Sequence, residues 1–130
     1  MKVFISHAAS DRDLAKYVAA HLSEAGFDVW DPEEHLLPGD NLPLKVGEAL
    51  EQADAMIVLV SPEAANSEWV RQEINYALAS PKYAGRLLPV IVRETDDIPW
   101  ILRKFNHVRA GKNRAEVSRR IIEQLQDAGK

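Results

Sequence analysis

The sequence has no cysteine, which excludes a disulfide framework, a thiolate nucleophile and Cys-ligated zinc. This fits a reducing compartment, and a cytoplasmic location is the expectation. No apolar run approaches the roughly 20 residues that span a bilayer, and the start Met1-Lys2-Val3-Phe4-Ile5-Ser6-His7 turns polar too soon for a signal peptide. No membrane contact is expected. A basic excess is missing too: 16 Lys and Arg against 20 Asp and Glu leave a formal net charge of −4, whereas a duplex-binding face gathers cations. Nucleic acid is therefore not an expected partner.

Several chemical signatures are also lacking. Neither G-x-x-x-x-G-K-[ST] nor G-x-G-x-x-G is found, which removes P-loop kinases and Rossmann dehydrogenases. No G-x-S-x-G elbow frames a serine. The four histidines show no H-E-x-x-H or comparable spacing, so no metal site is expected. There is no internal repeat, low-complexity tract or Gly/Ser linker; a sensor or effector working with this chain is expected to lie outside it.

What is there suits one cored domain over residues 1–130, since 46% of the residues are hydrophobic and 28% charged. Lys2 to Ser6 reads as a buried strand. Ser10 is placed as N-cap, with Asp13 three residues on, of a helix running to Glu24 with Leu14, Val18 and Leu22 inward, and Gly26 ends it. Phe27 to Asp31 returns as a strand. The prolines, Gly39, Asp40 and Asn41 make Pro32 to Pro43 a long loop, with His35 solvated in it, before a helix from Leu44 to Gln52. Ala55 to Val60 is a continuous aliphatic run, as expected of a parallel strand buried on both faces. A helix Glu68 to Ala79 follows. Arg86 to Val92 makes a fourth strand that Pro89 marks as edge-like or bulged. A short helix over Asp97 to Lys104, a strand at His107 to Arg109 and a helix Arg114 to Gln126, with Val117, Ile121, Ile122 and Leu125 inward, complete the pattern.

Five βα units predict a parallel sheet covered on both faces, in the flavodoxin-like α/β/α order 2-1-3-4-5. Ligands of such folds bind beyond the strand carboxyl ends at the switch point. That crevice falls above Ser6 and Ser61, and His7, Trp30 and Asp31 can line it. Trp69 and Glu73, four residues apart, share the helix face that borders it. A receiver domain has this order but needs clustered acids after strand one and an aspartate after strand three, where Ser6-His7 and Ser61-Pro62 stand. Alone, Glu73 also reads as a solvated helix residue, Trp69 as a packing aromatic, Trp30 as strand burial and His7 as a hydrogen-bonded histidine.

Val3-Phe4-Ile5-Ser6-His7, Phe27-Asp28-Val29-Trp30, Leu37-Pro38-Gly39-Asp40, Val58-Leu59-Val60-Ser61-Pro62 and Ser67-Glu68-Trp69-Val70-Arg71-Gln72-Glu73-Ile74 resemble a TIR domain in order and spacing over nearly the whole chain. TIR domains are either NAD-cleaving enzymes or scaffolds of signalling complexes. In the enzymatic kind a glutamate in a W-x-x-x-E stretch is catalytic, and the resemblance puts Glu73 there with Trp69 before it. It places Trp30 on the nicotinamide side, and Ser6 and His7 beside the nucleotide. Leu37, Pro38, Gly39 and Asp40 correspond to the BB loop, which in related enzymes completes a composite site between subunits.

The resemblance thus implies an NAD+ glycohydrolase or ADP-ribosyl cyclase with NAD+ as substrate and no cofactor. It further implies activation by homotypic self-association and a role in bacterial, antiphage immune defence. The alternatives are a non-catalytic interaction module and a nucleoside deoxyribosyltransferase-like enzyme, which uses a glutamate on a similar fold. One departure stands out: some relatives carry arginines just after the first strand, where this chain has Ala8 and Ala9. Arg12 or Lys45 are the candidates to replace them at the phosphates, each with a solvated surface reading beside it.

Overall fold

The computed structural model describes residues 1–32, 38, 39 and 41–128, without the Arg103 side chain. Five parallel strands, β1 (Lys2–Ser6), β2 (Asp28–Trp30), β3 (Ala55–Val60), β4 (Leu87–Ile91) and β5 (Val108–Arg109), form one sheet in the order β2-β1-β3-β4-β5. This is the flavodoxin-like order expected. The described helices are α1 (Arg12–Glu24), α2 (Leu42–Gln52), α3 (Pro62–Ala65), α4 (Glu68–Ala79) and α5 (Arg114–Ala128).

Strand alternation divides the core in two. Val3 and Ile5 of β1, with Ala55, Ile57 and Leu59 of β3, pack under α1 and α5 against Val18, Leu22, Ile121 and Leu125. Phe4, Met56, Val58 and Val60 face the other way, onto Val46 and Leu50 of α2 and Val70 and Ile74 of α4. Ser6 continues the Phe4 row, so its hydroxyl emerges at the carboxyl end of the sheet on the α2/α4 side.

Local details correct the reading of the sequence. The residue before α1 is Asp11, which makes no side-chain cap bond; a 3-10 turn over Ala9–Asp11 precedes the helix, and Ser10 caps nothing. Asp11 does not cap because its carboxylate is engaged by Ser61 and Arg93. Helix α2 begins at Leu42 rather than Leu44, since Asn41 accepts from Leu44 N at 3.2 Å and Pro43 sits in the first turn, where a proline lacks no needed donor. β2 and β4 are each shorter than their apolar runs, Asp97 to Lys104 is only a 3-10 turn over Trp100–Lys104, and α5 continues to Ala128.

Pro89 does not make β4 an edge strand, because β4 lies between β3 and β5. Arg86 and Val92 bond to β3 through their backbone and Ile91 accepts from Ala110 on the β5 side. Alternation therefore turns the Pro89 nitrogen toward β5, one residue short of the Val90↔Val108 pair where that strand begins. The C-terminus of α2 is fixed by the turn after α4: Tyr83 Oη donates to the Leu50 carbonyl at 2.6 Å, and Lys82 Nζ donates to the carbonyls of Leu50 (2.7 Å) and Glu51. Among the described residues no helix is long and apolar enough to cross a membrane.

Candidate active site

At the carboxyl end of β1, Ser6 is fully buried and its hydroxyl donates to Glu73 Oε1 at 2.7 Å. Glu73 comes from α4, whose start is fixed by Ser67, a side-chain cap that accepts from Val70 N. The carboxylate is 4% exposed. Burial pushes its pKa up from 4.5 to about 7, against the opposing pull of the Ser6 hydrogen bond and the nearby His7 charge, with the Asp31 charge adding to the rise. No described residue bonds Oε2, which leaves that oxygen for a ligand.

His7 and Asp31 form a second buried pair beside it. His7 Nε2 lies 2.9 Å from Asp31 Oδ1, and Nδ1 lies 2.8 Å from the Ala8 carbonyl. Each ring nitrogen thus has an oxygen partner, which fixes the ring's orientation. This histidine–carboxylate pair stands next to Glu73.

Two adjoining cavities share Glu73, Trp69 and Val46. The larger, of about 680 Å³, is also lined by His7, Pro32, Leu42, Glu63 and Ser67, and the smaller, of about 570 Å³, by Pro43, Gly47, Leu50 and Tyr76. Trp69 is 40% exposed, so its indole is a wall of the site more than a core residue. The structure thus brings together Ser6, His7, Asp31, Trp69 and Glu73. Trp30 goes elsewhere: it stacks on Phe4, centroids 5.2 Å apart, and neither cavity is lined by it. Ser61 also turns away from Glu73; it caps α3 through Ala64 N at 3.1 Å and donates to Asp11 Oδ2 at 2.8 Å.

Pro38 and Gly39 form an exposed turn, with Gly39 at φ +90° where a side chain would be strained. Leu37, Asp40 and His35 lie outside the described residues. Arg12 and Lys45 are exposed and line neither cavity. Among the described residues no cluster of three or more His, Asp or Glu is arranged to hold a metal ion.

Reading the sequence did not pick out Glu63, Asp11 or Arg93. Arg93 Nη2 donates to Asp11 Oδ1 at 3.0 Å and to Glu63 Oε2 at 2.8 Å, which ties together the segments after β1, β3 and β4. The rule that ligands meet the residues just past strand ends would have selected Arg93.

Residues 3–126 match the family described as TIR domain. The chain is 34% identical over 96 residues to the 2′ cyclic ADP-D-ribose synthase BtTIR of Bacteroides thetaiotaomicron, covering 72% of this chain and 33% of that protein. It is 33% identical over 91 residues to the NAD(+) hydrolase PdTIR of Paracoccus denitrificans, covering 68% and 30%. The chain thus spans about a third of the length of these curated relatives. Among solved structures, the TIR domain of the Toll-related receptor TRR-2 from Hydra magnipapillata superposes with a TM-score of 0.78 at 19% identity over 98% of both chains.

Proposed function

The chain belongs to the TIR domain family, and from that premise we propose that it cleaves the nicotinamide–ribose bond of NAD+. The observation that carries this is the buried Glu73 carboxylate, clamped by Ser6 on one oxygen and open on the other, at the junction of two cavities. Nicotinamide in NAD+ is already cationic and leaves as a neutral base with the bonding electron pair. No acid has to protonate it, whereas ordinary glycosidases use two carboxylates. Glu73 accepts from the ribose hydroxyls through Oε2 and stabilises the oxocarbenium-like transition state by its charge.

Trp69 walls the site and limits water. The His7–Asp31 pair orders the end of β1 beside Glu73, where a charge on His7 favours the ionised carboxylate and the charge on Asp31 opposes it. Water adding to the ribose carbon and losing a proton gives ADP-ribose; an internal nucleophile gives a cyclic isomer. The relatives' names, a cyclase and a hydrolase, support both outcomes; the bacterial defence role and the cytoplasmic location are part of the same proposal and rest on the family resemblance alone. NAD+ is the substrate and no resident cofactor takes part.

Leu42, 37% exposed in the lining of the larger cavity, and Leu44, 55% exposed two residues on, support self-association as the activating step, with a sensor or effector as a further partner. They also suit the second reading, a module that assembles without catalysis. Incubating the protein with NAD+ over a range of concentrations and following nicotinamide by chromatography separates the two. Release per molecule should climb with concentration and vanish in Glu73→Ala. Equal release by that variant, or none from the wild type at any concentration, would sink the enzymatic reading.

A further inference from the structure

Neither cavity is lined by a lysine or arginine among the described residues. The function proposed above, on which this inference rests, nevertheless brings a diphosphate to this edge of the sheet. The guanidinium that touches the larger cavity's lining is that of Arg93, through its bond to Glu63. Its two partners differ in kind. Asp11 is buried and is itself fixed by the Ser61 hydroxyl. Glu63 has a side chain 48% exposed and lies on the cavity side.

Arg93 is therefore held from behind by a rigid anchor and from the front by a loose one. Its guanidinium carries five N–H donors, yet both of its bonds use Nη2, and no described residue engages Nε or Nη1. When Glu63 leaves, the Nη2 N–H it held and an adjacent free donor, on Nε or Nη1, together form the fork that suits phosphate oxygens. Glu63 is ionised in this contact, its pKa lowered first by the Arg93 hydrogen bond, so an oxyanion already sits against the guanidinium.

We propose that Arg93 is the phosphate-binding residue of this site, anchored by Asp11, and that an oxyanion of the substrate's diphosphate takes over the position of the Glu63 carboxylate. The exchange swaps one anion for another at a fixed cation, so the buried Asp11 charge stays compensated throughout. Arg93 takes the place that neither Arg12 nor Lys45 fills, and the alanines at 8 and 9 need no substitute on their own loop.

Calorimetric titration with ADP, and with adenosine as the phosphate-free control, tests this without turnover. Arg93→Gln should weaken ADP binding about tenfold, the scale of a lost charge-assisted contact. Glu63→Gln, which removes the competing anion, should strengthen it about threefold. Adenosine binding should stay the same in both. A network that merely braces the loops would make both variants bind ADP more weakly, or leave both unchanged, and either result overturns the proposal, as does a wild type that binds ADP no better than adenosine. Should Arg93→Gln fail to fold, Arg93→Lys keeps the charge opposite Asp11 and must still weaken ADP binding. ADP has no nicotinamide bond, so these shifts would stand even if NAD+ cleavage failed, and their absence would leave the cleavage reading untouched.

Discussion

Ser6 Oγ donates to Glu73 Oε1 across 2.7 Å, joining the end of the first strand to a helix 67 residues further along the chain. One hydroxyl thus fixes the rotamer of a carboxylate that burial has driven to a pKa of about 7. A group with that pKa is split between its acid and its base at neutral pH, so small changes around it shift how much of the chain carries the charge.

The first prediction concerns Glu73→Gln. Glu73 holds its proton more tightly folded, at about 7, than unfolded, at the ordinary 4.5. Between those values folding takes up a proton, so stability falls as pH rises, and the loss is complete above about 7. The wild type should lose on the order of 3 kcal/mol across this window relative to Glu73→Gln, as an upper bound. Urea unfolding at pH 4.5 and pH 8 measures it; parallel pH dependence of the two proteins would refute it. Nicotinamide release should rise with pH through about 7 in the wild type, because the ionised form is the active one.

Ser6→Ala removes the one hydrogen bond that opposes burial at Glu73. The carboxyl should then titrate at higher pH than in the wild type, so the acidic limb of the rate profile moves alkaline and kcat near neutrality drops about tenfold. Ser6→Thr keeps the hydroxyl and should largely restore the limb. A merely structural serine would lower stability without moving the profile, and the pH–rate curve of nicotinamide release tells the two apart.

How much of this was legible in the sequence depends on how local each signal is. Ala55 to Val60 and Glu68 to Ala79 agree with the structure residue for residue, since an all-aliphatic run has one use in a parallel sheet and Ser67 marks a helix start. Glu73 and Trp69 were readable because helix spacing and strand order together put them on the crevice. The four-residue helix Pro62–Ala65 is too short to show a period. Asp11, Ser61 and Arg93 meet across separations of 50 and 82 residues, and no local pattern announces such a contact. Trp30 had two readings of equal merit, and only its stacking on Phe4 assigns it to the strand layer.

The two tryptophans should therefore respond in opposite ways. Trp30→Ala loses a ring packed against the core and should cost about 3 kcal/mol of stability. Trp69, 40% exposed on the cavity wall, should cost less than about 1 kcal/mol when truncated while raising KM for NAD+ several-fold. Urea unfolding beside steady-state kinetics on the two variants checks this. A Trp69→Ala protein that is as unstable as Trp30→Ala, with unchanged KM, would return Trp69 to a packing role.

The last prediction concerns the far end of α2, which lines both cavities through Val46. Its Leu50 carbonyl accepts from both Tyr83 Oη at 2.6 Å and Lys82 Nζ at 2.7 Å. Tyr83→Phe keeps the ring against Tyr76, 6.3 Å away between centroids, and removes only one donor from an acceptor that retains another. It should cost about 1 kcal/mol, and Lys82→Met, which retains much of the side-chain stem, about the same or less. The double variant leaves the Leu50 carbonyl without either side-chain donor, so its cost should exceed the sum by roughly 0.5–1 kcal/mol. With α2 loosened at this end, KM for NAD+ should rise in the double variant more than in either single one. Urea unfolding of the four proteins measures the coupling; strict additivity would mean that the two donors do not share the carbonyl in solution.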